Sequence, residues 1–300
     1  MKGVRQLQPR VERVFACNTE VGESPLWDVV SQRLYWVDIP AGRVFCGDPE
    51  TGLFDMRVSA STVGSLALCR NGGLLVATGT NLQRWRGSLT DPVTDIVAPM
   101  PLRPRTSRFN DGKAGPDGRF WVGTLDARPD RQAVGAVHGI GSEGAPVLLM
   151  DQLLVPNGIA WSPEGDRMIF SDSGRGQVWS LPFDADSGPL AAPQPWLDWR
   201  ADTMGMPDGA AMDQAGCYWS CGIFSGAIHR FDPGGTHIES YRLPISQPTM
   251  CCFGGADLQT MFVTNMTLRL EAAQRAAQPL AGSVIAFRVG VAGAPVGMFG

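Results

Sequence analysis

Histidine is scarce in this chain: His138, His229 and His237 are all it has, so no histidine-rich zinc or iron triad can be built. Any metal it holds must be bound mainly by oxygen. Long apolar runs are also missing. No stretch approaches the roughly 20 residues of a membrane span, and residues 1–10 carry charges without the apolar core of a signal peptide. These absences predict a cytoplasmic protein without membrane association. Neither sign of charge prevails, with 25 basic residues against 29 acidic ones and a formal net charge of −4. That leaves no basic face for nucleic acid, and small molecules are the expected partners. The seven cysteines are an odd number, include the adjacent pair Cys251 and Cys252, and lack zinc-ribbon spacing. Buried, reduced thiols are expected. Cys217 and Cys221 share a strand face but supply only two metal ligands. Helix signals are confined to Leu268 to Ala277, which is rich in helix formers.

What the chain does have is enough apolar material for a sizeable core, 44% of 300 residues, arranged in a repeat. A short apolar strand, a Gly-containing turn and an aromatic-rich strand recur at intervals of about 40 to 50 residues. Leu66 to Thr78, Lys113 to Thr124, Ile159 to Ser171 and Ala211 to Gly222 are one hairpin written four times. Their tips read Asn-Gly-Gly, Asp-Gly, Glu-Gly and Ala-Gly, as hairpins that need positive φ require. Six such units predict an all-β, six-bladed β-propeller with four-stranded blades, in one domain spanning residues 1–300. The β-rich segment Val11 to Phe15 precedes the first unit and Ser283 to Arg288 ends the last. Together they are expected to close the ring as one sheet. The Pro- and Gly-rich stretches Pro99 to Pro104 and Ser187 to Pro195 fall between units as loops. The tryptophans, among them Trp27, Trp36, Trp121, Trp161, Trp179 and Trp219, lie mostly inside strands and are expected to pack between blades.

Four polar motifs occupy the same place in their units: Gly22-Glu23-Ser24-Pro25, Phe109-Asn110-Asp111-Gly112, Pro156-Asn157-Gly158 and Pro207-Asp208-Gly209. Asn or Asp before Gly is an ordinary turn signal, and taken singly each Asn or Asp is explained that way. Their equivalence of position argues otherwise, and Glu23 is no turn former. In a propeller these entrances meet at one mouth of the central channel. Glu23, Asn157 and Asp208 would there present hard oxygen ligands, suited to calcium, magnesium or manganese. Asp172-Ser173 follows an apolar strand and could face the channel. Ser173 lacks the flanking glycines of a nucleophile elbow and an obvious histidine partner.

The motifs Gly22-Glu-Ser-Pro-Leu-Trp-Asp, Leu34-Tyr-Trp-Val-Asp-Ile, Arg108-Phe-Asn-Asp-Gly-Lys, Pro156-Asn-Gly-Ile-Ala-Trp-Ser, Pro207-Asp-Gly and Cys251-Cys-Phe-Gly-Gly-Ala-Asp-Leu, in that order, resemble the regucalcin/gluconolactonase family. The resemblance runs from about Glu12 to Arg288. It implies a six-bladed propeller that hydrolyses a small-molecule sugar lactone using one divalent metal ion, calcium foremost, with zinc, magnesium and manganese as alternatives. Carried over by position, it implies Glu23, Asn157 and Asp208 as metal ligands, Asp208 also as general base, and Arg108 and Asn110 as substrate contacts. The same fold also serves non-catalytic calcium-binding or protein-interaction propellers, and that reading is the alternative. One departure stands out: Gly123-Thr-Leu-Asp-Ala-Arg puts Arg128 near a position where several relatives carry an acidic residue. Arg128 and Arg108 on one mouth would suit an anionic substrate; the plainer expectation is that Arg128 points to solvent.

Overall fold

The computed structural model describes residues 3–300 apart from 102, 103, 105 and 144, so part of the Pro99 to Pro104 connection lies outside the described residues. Strands β1 (Arg5–Leu7) and β2 (Glu12–Phe15) come first. The first blade is β3 (Gly22–Asp28), β4 (Arg33–Asp38), β5 (Arg43–Gly47) and β6 (Phe54–Val58). The second is β7 (Val63–Leu68), β8 (Leu74–Thr78), β9 (Asn81–Gly87) and β10 (Pro92–Pro99). The third is β11 (Ser107–Ala114), β12 (Phe120–Asp126), β13 (Gly135–Ile140) and β14 (Val147–Leu153). The fourth comprises β15 (Pro156–Trp161), β16 (Arg167–Asp172), β17 (Gln177–Asp184), the two-residue β18 (Gly188–Pro189) and β19 (Gln194–Leu197). After helix α1 (Ala201–Met204), the fifth is β20 (Met206–Met212), β21 (Tyr218–Ile223), β22 (Ala227–Phe231) and β23 (His237–Arg242). The sixth is β24 (Pro248–Gly254), β25 (Thr260–Asn265) and, after helix α2 (Ala272–Ala277), β26 (Val284–Arg288).

The ring closes as expected, with β2 antiparallel to β26 as the outer strand of the sixth blade. Two features at the termini were not expected. Strand β1 pairs in parallel with β23, adding a fifth strand to the fifth blade. The C-terminal segment runs across the ring, with Gly293, Ala294, Phe299 and Gly300 donating backbone hydrogen bonds to Leu258, Met212, Leu68 and Gly118. The helix expected over Leu268 to Ala277 is shorter. Arg269 sits at φ 68°, which ends any helix there, and α2 starts only after Glu271, whose side chain forms a capping box with Gln274.

The core is six inter-blade layers rather than one centre. Each apolar cluster joins side chains of two neighbouring blades. The inner strands are therefore buried on both faces, as in β15, while outer strands such as β6 are largely exposed. The named tryptophans all lie in these layers, each 9% exposed or less. Trp36 is stacked between Phe15 and Phe45, at ring-centroid separations of 4.6 and 4.9 Å, so the closing strand β2 is fixed onto the first blade. All seven cysteines are free thiols, six of them buried. Among the described residues no helix is long and apolar enough to cross a membrane.

Every innermost strand breaks register with its neighbour at the same level: between Glu23 and Leu26, Val63 and Leu66, Phe109 and Gly112, Asn157 and Ala160, Pro207 and Ala210, and Pro248 and Cys251. These are β-bulges, which bend a strand and re-aim its side chains. Repeated around the ring, they break strict alternation just where the polar motifs stand. At Gly158 the bulge requires φ +63°, and a Cβ there would lie 2.4 Å from the Tyr218 hydroxyl.

Candidate active site

The bulges bring three of the four motifs into one hydrogen-bonded chain, with the Glu23 motif beside it. Arg108, half-buried on β11, donates through Nη1 to Asn110 Oδ1 at 3.0 Å and to the Phe109 carbonyl at 2.8 Å. Asn110 donates through Nδ2 to Asn157 Oδ1 at 2.7 Å and to the Pro156 carbonyl at 3.0 Å. Asn157 in turn donates through Nδ2 to Asp208 Oδ1 at 2.6 Å and to Ser173 Oγ at 2.8 Å. Ser173 donates to the Pro207 carbonyl, which ties the site's fourth and fifth blades together. The chain thus crosses blades three, four and five. Asp172 does not join it: its carboxylate accepts from the backbone of Leu154, Val155 and Gly174 and shapes the loop. Glu23 belongs to the same site electrostatically, and its Oε2 accepts from the Ser24 amide at 3.0 Å.

Asp111 was not singled out within its motif, and regular strand alternation would place it on the face opposite to Asn110. The bulge cancels that alternation. Asp111 is buried, accepts from the Ile159 amide at 3.2 Å through Oδ2, and has no hydrogen-bond partner for Oδ1. Lys113 is a second residue that sequence reasoning did not single out; its ammonium donates to the Ala210 carbonyl at 2.7 Å. The readable signal was the acidic residue directly after Asn110 in a motif already noted.

Burial dominates the electrostatics. It pushes Glu23 up to about 8, with the Asp111 charge adding to the rise and the Ser24 amide and Arg108 opposing it. Asp208 is raised well above the usual carboxylate range by burial, then by Glu23 and Asp111. Asp111 is raised by burial against the pull of Lys113. Arg108 falls to about 10, through burial first and the nearby Arg131 charge second. Three acids in one desolvated space repel one another and favour either protons or a cation. Among the described residues no three His, Cys, Asp or Glu side chains form a ligand set. The expected set of two carboxylates and one amide oxygen is compatible with that, and hard oxygens with unmet negative charge fit a divalent cation. To bind, such an ion must replace the Asn157–Asp208 hydrogen bond, because Asn157 now offers Asp208 its NH₂ group.

Comparison with known proteins adds to this geometry. Residues 21–267 match the family model described as the SMP-30/Gluconolactonase/LRE-like region. The chain is 36% identical over 281 residues to a 6-deoxy-6-sulfogluconolactonase of Pseudomonas putida, covering 93% of this chain and 94% of that protein. It is 31% identical over 255 residues to a pentonolactonase of Haloferax volcanii, covering 85% and 84%. The crystal structure of a calcium-binding protein, regucalcin, from Agrobacterium tumefaciens superposes with a TM-score of 0.93 over 99% of this chain and 100% of that one. At 23% identity this likeness concerns the fold.

Proposed function

The chain belongs to the SMP-30/gluconolactonase/LRE-like family, and from that premise we propose that it hydrolyses a sugar lactone to the corresponding aldonic acid with the help of a divalent cation. The observation that carries the reading is the buried Arg108–Asn110–Asn157–Asp208 chain beside Glu23. Two of the proteins named above, the sulfogluconolactonase and the pentonolactonase, act on sugar lactones by name, which supports the choice of substrate class.

In this reading Glu23, Asn157 and Asp208 hold the cation, calcium foremost, with zinc, magnesium and manganese as alternatives. When bound, a divalent cation supplies Lewis acidity toward the lactone carbonyl oxygen. Asp208 is the general base: it takes a proton from the water whose oxygen bonds to the carbonyl carbon. The C–O bond to the ring oxygen then breaks, and that oxygen leaves as a hydroxyl carrying the proton that Asp208 took from the water. The 2.6 Å hydrogen bond between Asn157 and Asp208 brings the two side chains together, and it would give way to a shared cation when one is bound. Among the described residues Arg108 donates through Nη1 alone, so Nη2 and Nε are available for substrate oxygens. Asn110 spends both amide hydrogens on Pro156 and Asn157, and its Oδ1, which already accepts from Arg108, has one further lone pair to offer toward substrate.

A carboxylate placed to take a proton from water favours catalysis over the alternative of a passive calcium-binding or protein-interaction propeller, which has no use for a base. A proton-release assay on a panel of neutral and charged aldonolactones separates the two. Turnover of at least one lactone is expected, and none across the panel with every candidate metal present overturns the lactonase reading.

A further inference from the structure

One named relative acts on a lactone with a sulfo group and another on a pentonolactone, so family membership leaves the far end of the sugar undecided. The mouth of the site carries a more specific signal. Strand β12 ends at Asp126, paired in register with Ser107, so the 127–134 loop leaves the third blade beside Arg108. Asp126 is fully buried and its oxygens are taken: they accept from Arg128 Nε and Nη2, at 3.0 and 2.7 Å, and from the backbone of Arg128 and Gln132. Arg128, the cation that the sequence suggested, is therefore neutralised and turned to solvent.

Arg131 takes its place. It is half-buried, yet it makes no hydrogen bond or ion pair to any described residue. Arg269, exposed and held at φ 68°, leaves the sixth blade at the same end of the ring, just after β25. Burial first and the Arg269 charge second push Arg131 down against the pull of Asp126, and Arg131 in turn adds to the fall at Arg108. A half-buried guanidinium that is crowded by like charge and makes no ion pair among the described residues is matched by a ligand that brings an anion.

We propose that Arg131, flanked by Arg108 and Arg269, forms a subsite for an anionic substituent (sulfonate, phosphate or carboxylate) on the substrate. The proposal rests on the lactonase reading for the identity of that substrate, and the planar guanidinium suits bidentate contact with any of the three groups.

The test compares kcat/KM on gluconolactone with that on the same lactone carrying a sulfonate, a phosphate or a carboxylate at C6. At least a tenfold preference for one anionic form is expected. Arg131→Gln is expected to lower the anionic-to-neutral ratio at least tenfold through KM, and Arg131→Lys to keep part of it. A wild-type ratio at or below one, or a ratio untouched by Arg131→Gln, overturns the proposal while leaving lactone hydrolysis standing. If no lactone is turned over, calorimetry with the acyclic 6-sulfo and 6-phospho acids against gluconate decides the matter alone. Tenfold tighter binding of an anionic acid that is lost in Arg131→Gln supports the subsite, and equal binding overturns it.

Discussion

Asn157 donates to Asp208 at 2.6 Å across the seam between the fourth and fifth blades, although the two residues stand 51 positions apart. The contact exists because each blade repeats the same bulge at the same level. The site is a property of the ring, and its expected behaviour under substitution follows from that.

Asp208→Asn removes the base and one oxygen ligand while keeping the side chain's shape. kcat on a hydrolysed lactone is expected to fall at least about 100-fold, within the range for a lost general base. Metal-free protein should become more heat-stable, since one of three mutually repelling buried acids is gone. Steady-state kinetics and calorimetry in chelator check both. Activity within threefold of the parent contradicts the assignment.

Gly158→Ala tests the bulge. The residue is at φ +63°, and the added Cβ would meet the Tyr218 hydroxyl at 2.4 Å and the Asp208 carbonyl at 2.9 Å. A loss of roughly 2 kcal/mol or more is expected from backbone strain plus steric clash. Urea unfolding measures it, and a loss below about 0.5 kcal/mol, the scale of a neutral surface change, contradicts the packing described.

Phe15→Ala tests ring closure. Phe15 is fully buried and stacked on Trp36 of the first blade, while its backbone belongs to the sixth. Truncation of such a side chain costs about 3 to 5 kcal/mol. Limited proteolysis should then cut first near the N-terminus; unchanged stability and an unchanged cleavage pattern would show that β2 is dispensable.

His229 gives a pH dependence. Burial, followed by the His237 charge, holds it down to about 3 against an ordinary 6.5. Between those values the unfolded chain binds the proton and the folded chain does not. His229 therefore costs no stability above pH 6.5 and a growing penalty as pH falls toward 3, with a limiting slope of about 1.4 kcal/mol per pH unit. The neutral ring lies within hydrogen-bonding distance of Ser240 Oγ and the Met204 carbonyl, so His229→Asn is less stable at neutral pH but shows a shallower acid decline. An equal decline in both proteins contradicts the buried, neutral state.

The propeller was legible because its hairpin turns and strand lengths are local and repeat, and the closing role of Val11 to Phe15 followed from a β-rich segment left without a unit. The parallel pairing of Arg5–Leu7 with His237–Arg242 and the C-terminal crossing were not legible, since both depend on edges that exist only in the folded ring. At the site, Glu23, Asn110, Asn157 and Asp208 were readable from equivalent positions. Asp111 was not singled out within its motif, and the bulge that suspends strand alternation there is visible only in the fold. Arg128 points to solvent, the plainer of the two expectations for it, held there by Asp126; Arg131 was not singled out, because sequence order does not reveal which arginine Asp126 captures.

The most direct measurement is lactone hydrolysis by chelated protein titrated with calcium, zinc, magnesium or manganese, run in parallel on the parent and Asp208→Asn. The parent is expected to lose activity on chelation and regain it with at least one of these ions, while Asp208→Asn regains less than about 1% of the parent rate with any of them, in keeping with a lost base and ligand. Full activity in the chelated parent, or full restoration in Asp208→Asn, contradicts a metal-assisted site built on Glu23, Asn157 and Asp208.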